Sequence, residues 1–163
     1  TIVCMTTIHK NLEEEKSANC LILATDAGEL FFMDSQSFRI LHESRVCCFR
    51  STPDLVSSSG SYLNDFKIII ATRESSICIL RKGWLEGREI VKLEKPAIAL
   101  CLLPIDQTIV VLSNSLMCYS KKGKMLWTLT TPSDVSCMTP VSLPHLGVSM
   151  VKCTTLGLKL FYF

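Results

Sequence analysis

Few residues in this chain have both the type and the spacing that chemistry requires. Glu13, Glu14 and Glu15 form one acidic run, and Lys121, Lys122 and Lys124 form one basic run. Three adjacent carboxylates would attract a cation or a basic partner, yet a run this short reads first as a solvated face. Three lysines around a turn would meet an acidic partner or anionic lipid. Lipid-reading patches usually hold about 4–8 basic residues, so a solvated turn is the plainer expectation. Both runs stand as candidate partner-contact loops. His9, His42 and His145 are far apart, with no thiolate or carboxylate companions at metal-ligand spacing, so no metal site is expected. The sequence has no Gly-x-Ser-x-Gly elbow, no phosphate loop and no His-Glu-x-x-His. No catalytic residue and no cofactor is predicted.

The nine cysteines are Cys4, Cys20, Cys47, Cys48, Cys78, Cys101, Cys118, Cys137 and Cys153. Their number is odd and none has C-x-x-C spacing, which supports neither a disulfide framework nor a zinc or thioredoxin-like site. Most sit in apolar runs such as Ile77-Cys78-Ile79, where cysteine acts as a small buried hydrophobe. With no Asn-x-Ser/Thr sequon, a reducing, intracellular compartment is expected. For adjacent Cys47 and Cys48, strand alternation predicts one buried and one outward thiol. The 163 residues carry a net charge of +2 and are 48% hydrophobic. That is globular composition, with no general reason to expect nucleic-acid binding. No apolar run reaches the ~18 residues of a membrane-spanning helix.

The elements that would carry these loops are strands. Short runs rich in Ile, Val, Leu and Phe alternate with Gly, Ser, Asn and Asp clusters. Four segments share one form, an apolar triplet, a short turn and a second apolar run. The triplets begin at Leu21, Ile68, Ile109 and Val148, a spacing of 39–47 residues. Such a period, with four strands per repeat, is the signature of β-propeller blades. A Cys-bearing strand precedes each repeat, as in Val3-Cys4-Met5, Val46-Cys47-Cys48, Leu100-Cys101-Leu102 and Ser136-Cys137-Met138. Small residues suit the crowded centre of a propeller, so these are predicted to be the innermost strands.

The prediction is an all-β, partial β-propeller of about three and three-quarter four-stranded antiparallel blades, over residues 1–43, 44–94, 95–131 and 132–163. Its strands fall at about 2–8, 19–26, 29–34 and 37–42; 45–49, 66–72, 75–81 and 88–93; 96–103, 107–112, 115–120 and 124–130; and 135–141, 146–152 and 156–163. No strand remains to close a ring. The chain has no initiator Met or signal sequence and ends on Leu160-Phe161-Tyr162-Phe163, which fits a cut through a domain about twice this size. A β-sandwich with coincidental spacing is the alternative fold.

Three residues are expected to serve the fold. Gly28 closes the Asp26-Ala27-Gly28 hairpin turn and Gly123 a second tight turn. Trp127 would lay its large ring on the neighbouring blade. The Gly-Lys-x-x-Trp form of this last string resembles the docking repeat of quinoprotein-type propeller enzymes, an alternative functional reading. An interaction propeller of another vesicle coat is a third.

Three strings carry a wider resemblance: Thr1-Ile2-Val3-Cys4-Met5-Thr6-Thr7-Ile8 with Lys10-Asn11-Leu12; Ala71-Thr72-Arg73 with Ile77-Cys78-Ile79-Leu80-Arg81; and Lys122-Gly123-Lys124-Met125-Leu126-Trp127-Thr128. In order and across the chain they resemble the Bardet–Biedl syndrome 1 family of BBSome subunits, less so around 44–63 and 142–152. The resemblance implies middle blades of a seven-bladed propeller in a non-enzymatic coat subunit. It implies contacts with other BBSome subunits, with an Arf-like small GTPase and with cytoplasmic tails of ciliary membrane proteins. The family's GTPase surface is expected outside these residues. The implied setting is the cytoplasm and, peripherally, the cilium, its base and its membrane.

Overall fold

The computed structural model describes residues 1–11, 18–47, 51–103, 106–143, 148–155 and 159–161, with side chains up to residue 139. It is all β. In the first compact unit, residues 1–94, two antiparallel meanders follow the chain. One is β1 (Ile2–His9), β2 (Asn19–Thr25), β3 (Glu29–Asp34) and β4 (Ile40–Arg45); the other is β5 (Pro53–Gly60), β6 (Phe66–Thr72), β7 (Ser76–Arg81) and β8 (Arg88–Lys92). The second unit, residues 95–163, holds β9 (Ala99–Leu102), β10 (Thr108–Leu112), β11 (Ser115–Tyr119) and β12 (Met125–Thr130) in one sheet. Its other sheet is β13 (Val135–Leu143), β14 (Val148–Thr155) and β15 (Lys159–Phe161).

Alternation of side chains explains which strands are central. On β2 and β3, Cys20, Ile22, Ala24, Leu30 and Phe32 are fully buried, while Leu21, Leu23, Phe31 and Met33 on the other face are half-buried. β6 (FKIIIAT) and β7 (SICILR) are apolar on both faces and buried on both, as strands covered from two sides must be. Ile22, Leu30, Phe32, Ile68, Ile70, Cys78 and Leu80 join in one core between the first two sheets.

The repeat extends to irregularities that sequence periodicity cannot display. The register slips between Ile2 and Cys4, between Pro53 and Leu55, and between Val135 and Cys137, each at the entry of a sheet's first strand. It slips again between Phe32 and Met33, Ile77 and Cys78, and Cys118 and Tyr119, where third strand meets fourth. A bulge adds twist to the strand pair that holds it, and it falls near the end of β3 and of β11 but near the start of β7.

One predicted strand is corrected. Val46 and Cys47 lie in the connection after β4, and the first strand of the second sheet is Pro53–Gly60 rather than 45–49. Its Ser57-Ser58-Ser59 run reads as loop because it lacks apolar alternation. Small side chains are nevertheless what the position needs: Ser58 Oγ donates 2.7 Å to the carbonyl of Thr7 on β1. The Cys marker therefore holds for Cys4, Cys101 and Cys137 and fails for Cys47. The outer strand of the first sheet also starts later than predicted, at Ile40.

Candidate functional site

The candidate contact residues belong to the turns between strands. Glu13, Glu14 and Glu15 lie outside the described residues, as do Cys48 and His145. Lys121, Lys122 and Lys124 are exposed on the β11–β12 turn. That turn is held from within. Gly123 N–H donates to Ser120 O at 2.9 Å, Ser120 N–H to Lys124 O at 2.8 Å, and Lys124 N–H to Ser120 Oγ at 3.2 Å. Gly123 has φ +81°, a conformation glycine adopts without strain. The lysines thus project from a fixed backbone. Trp127 sits on β12 opposite Cys118 and packs on a cluster of Cys101, Leu103, Ile109, Val111, Leu116, Cys118 and Val135. Most of that surface is its own sheet; Val135 is from the next.

The β2–β3 turn follows the same logic. Gly28 has φ +78° and its N–H donates to Thr25 O at 3.0 Å. A Cβ there would stand 2.8 Å from Ser51 O, so space as well as conformation excludes a side chain.

Where the first two sheets meet, the β7–β8 connection reaches across to β4. Arg45 N–H donates to Leu85 O and Gly87 N–H to Arg45 O, both at 2.9 Å, making a short parallel bridge. A Cβ on Gly87 would come 2.0 Å from Val46 O. Arg88 lies 4.5 Å over the Trp84 ring, a cation–π contact that braces the connection. Glu29, Phe31, Glu43, Ser44, Arg45, Leu85 and Glu86 line a cavity of about 320 Å³ at this junction.

A serine and a histidine meet here, and their geometry decides what they can do. Ser44 Oγ lies 2.8 Å from His42 Nε2 and 3.2 Å from the Trp84 carbonyl oxygen. The hydroxyl has one proton for two neighbours, the Trp84 carbonyl and the His42 ring nitrogen, and the His42 tautomer sets which of them receives it. The contact from Ser44 Oγ to Trp84 O links β4 to the β7–β8 connection, whereas His42 and Ser44 are neighbours on one face of β4. Sequence reading placed His42 among scattered histidines; its i, i+2 contact with Ser44 on β4 was within reach of strand alternation, whereas the contact from Ser44 to Trp84 O arises only from sheet packing.

The thiols are mostly inert. Burial pushes Cys101 and Cys118 up to about 11, and raises Cys20 and Cys4 as well. Cys137 is exposed and Cys47 buried. Among the described residues no group of three His, Cys, Asp or Glu side chains is placed to hold a metal ion. No helix among them is long and apolar enough to cross a membrane.

Consecutive four-stranded antiparallel meanders that follow the chain mark a protein of the β-propeller class. Comparison with known proteins narrows this. Residues 1–81 match the family model described as ciliary BBSome complex subunit 1. BBSome complex member BBS1 of Mus musculus is 32% identical over 152 residues, covering 92% of this chain and 25% of its own length. The Homo sapiens protein of the same name is 30% identical over the same shares. Among solved structures, BBS1N in complex with ARL6DN matches with a TM-score of 0.84 at 18% identity, over 95% of this chain and 47% of that one. Saccharomyces cerevisiae Sqt1 matches at 0.69 and 14% identity, over 93% and 42% of the two chains. Residues 1–81 are thus similar to the ciliary BBSome complex subunit 1 family, and the likeness to BBS1 runs over 92% of the chain. It spans about a quarter of the length of the curated relatives it matches.

Proposed function

We propose that this chain supplies middle blades of the propeller of a BBSome subunit, a non-enzymatic scaffold that works through protein–protein contacts. The observation that carries this reading is the 32% identity to BBS1 over 92% of the chain. The half-buried apolar face of β2 and β3, with Leu21, Leu23, Phe31 and Met33, suits a surface that a further blade covers in a ring of about seven. The solved relative BBS1N is in complex with ARL6DN. By that analogy the whole protein binds an Arf-like small GTPase in its GTP form and helps carry membrane proteins, through their cytoplasmic tails, to and from the cilium. Its place would be the cytoplasm and the ciliary base and membrane. The Glu13–Glu15 run and the Lys121, Lys122 and Lys124 turn are proposed as contacts to other BBSome subunits.

The test is a pull-down of the intact protein with an Arf-like GTPase locked in its GTP or GDP form. Retention by the GTP form alone is expected. Equal retention, or none in either form, would overturn the reading.

A further inference from the structure

A second groove opens between the first two sheets, and a lysine stands in its lining. His42, Tyr62, Leu63, Phe66, Lys82 and Gly83 surround a cavity of about 300 Å³. Its wall is a stack of rings. Phe32 and Phe66 stand 5.1 Å apart, and Tyr62 lies 6.1 Å from Phe66 and nearly parallel to it, at 6°. The ring of His42 is 5.6 Å from Phe32. Leu63 forms the lip and remains 51% exposed.

That lip is fixed in place. Tyr62 N–H donates to His9 O at 2.9 Å and Leu63 N–H to Lys10 O at 3.0 Å, tying the turn to the end of β1. The Lys82 ammonium donates to Leu63 O and, at 2.8 Å, to Asn64 O. An ammonium carries three protons, so one N–H of Lys82 is left for a partner. His42 spends Nε2 on Ser44, and its other ring nitrogen makes no hydrogen bond among the described residues. Among the described residues no carboxylate lines the groove.

The volume suits one large side chain and lies at the small end of ligand sites. An exposed leucine on a rigid turn beside stacked rings offers apolar area with little ordering cost on the protein's side. Among the described residues the charged group that lines the groove is Lys82. A basic segment would set like charges together, and a single lysine falls short of the ~4–8 basic residues of a lipid-reading patch. We propose that this groove docks an extended segment of a partner protein, its aromatic or large aliphatic side chain against Tyr62, Leu63 and Phe66 and an adjacent carboxylate on Lys82.

Titration of the ¹⁵N-labelled full chain with the capped peptide Gly-Glu-Phe-Glu-Gly tests this. Saturable shifts are expected at the amides of residues 62–66, 82 and 83. Gly-Lys-Phe-Lys-Gly and Gly-Glu-Gly-Glu-Gly should bind at least about tenfold more weakly, since each loses one of the two contacts. Lys82→Gln keeps donors for the turn carbonyls but loses the charge, and should weaken binding about fivefold. Leu63→Ser alters a half-exposed side chain, leaves the spectrum dispersed, and should weaken binding about threefold. Absence of saturable shifts at these amides overturns the proposal. So does equal binding of the three peptides, unchanged affinity in both folded variants, or a response only to phosphatidylserine vesicles.

Discussion

At the scale of single residues, Asp34 is the group whose ionisation the fold depends on most visibly. The Lys10 ammonium, 2.5 Å away, and then the backbone N–H groups of Ser37 and Gln36 hold its carboxyl well below the usual carboxylate range. A depressed folded-state pKa means stability that is complete above the unfolded value of about 4 and drains as pH falls through the folded value. Asp34→Asn should therefore lower stability at neutral pH and flatten the acid limb of a denaturation-against-pH curve. An unchanged acid limb would show the carboxylate idle. Gly87 makes a sharper case. With Val46 O only 2.0 Å from a new Cβ, Gly87→Ala should cost about 3 kcal/mol in urea unfolding, at the upper end of overpacking penalties. Thiol reactivity should separate by burial: Cys137 is expected to react with a thiol reagent in the native state, whereas Cys20, Cys78, Cys101 and Cys118 wait for denaturant. Composition alone could name the cysteines as buried hydrophobes, and most are. Exposure of Cys137 was not legible, because it depends on what covers one face of β13.

At the scale of elements, the triplets Leu21-Ile22-Leu23, Ile68-Ile69-Ile70 and Ile109-Val110-Val111 announce the second strand of three sheets, because central strands must be apolar. The first strand of the second sheet stayed hidden for the converse reason. Pro53–Gly60 has its partner on one side only, and its serines satisfy crowding without any apolar signal. The aromatic groove was equally unreadable, since Phe32, His42 and Phe66 come from different strands and meet only through packing. Burial ranks the strands by stability. Ile70→Ala, on a fully buried side chain, should cost about 2–5 kcal/mol, and Leu23→Ala about half as much. Equal costs in denaturant titrations of this chain would show that both faces of β2 are already covered.

At the scale of the whole molecule, that difference becomes a test of what lies beyond this stretch. If a further blade covers β2 and β3 in the longer protein, Leu23→Ala should cost as much there as Ile70→Ala. Within the chain, backbone hydrogen bonds stop at Leu93 N–H, given to Ser75 O, and resume at Ile98 N–H, given to Val111 O. Glu94, Lys95 and Pro96 between them are exposed. Limited digestion with a Glu-specific protease should therefore release a fragment that begins at Lys95, at the boundary of the two compact units. Resistance of that bond would mean the connection is shielded. The ~40-residue phase made the propeller class readable before any coordinates, whereas the bulges between third and fourth strands were not, because a bulge changes hydrogen bonding without changing hydrophobic pattern.

The bridge between Arg45 and Leu85–Gly87 also sorts the loops for protein engineering. The 120–124 turn is closed by its own hydrogen bonds, so a fluorophore tag or an epitope spliced between Lys121 and Lys122 would ride on the surface. The same splice between Leu85 and Glu86 would unhook the second sheet from the rim of the first. Two loops of similar length and polarity thus differ completely as attachment points.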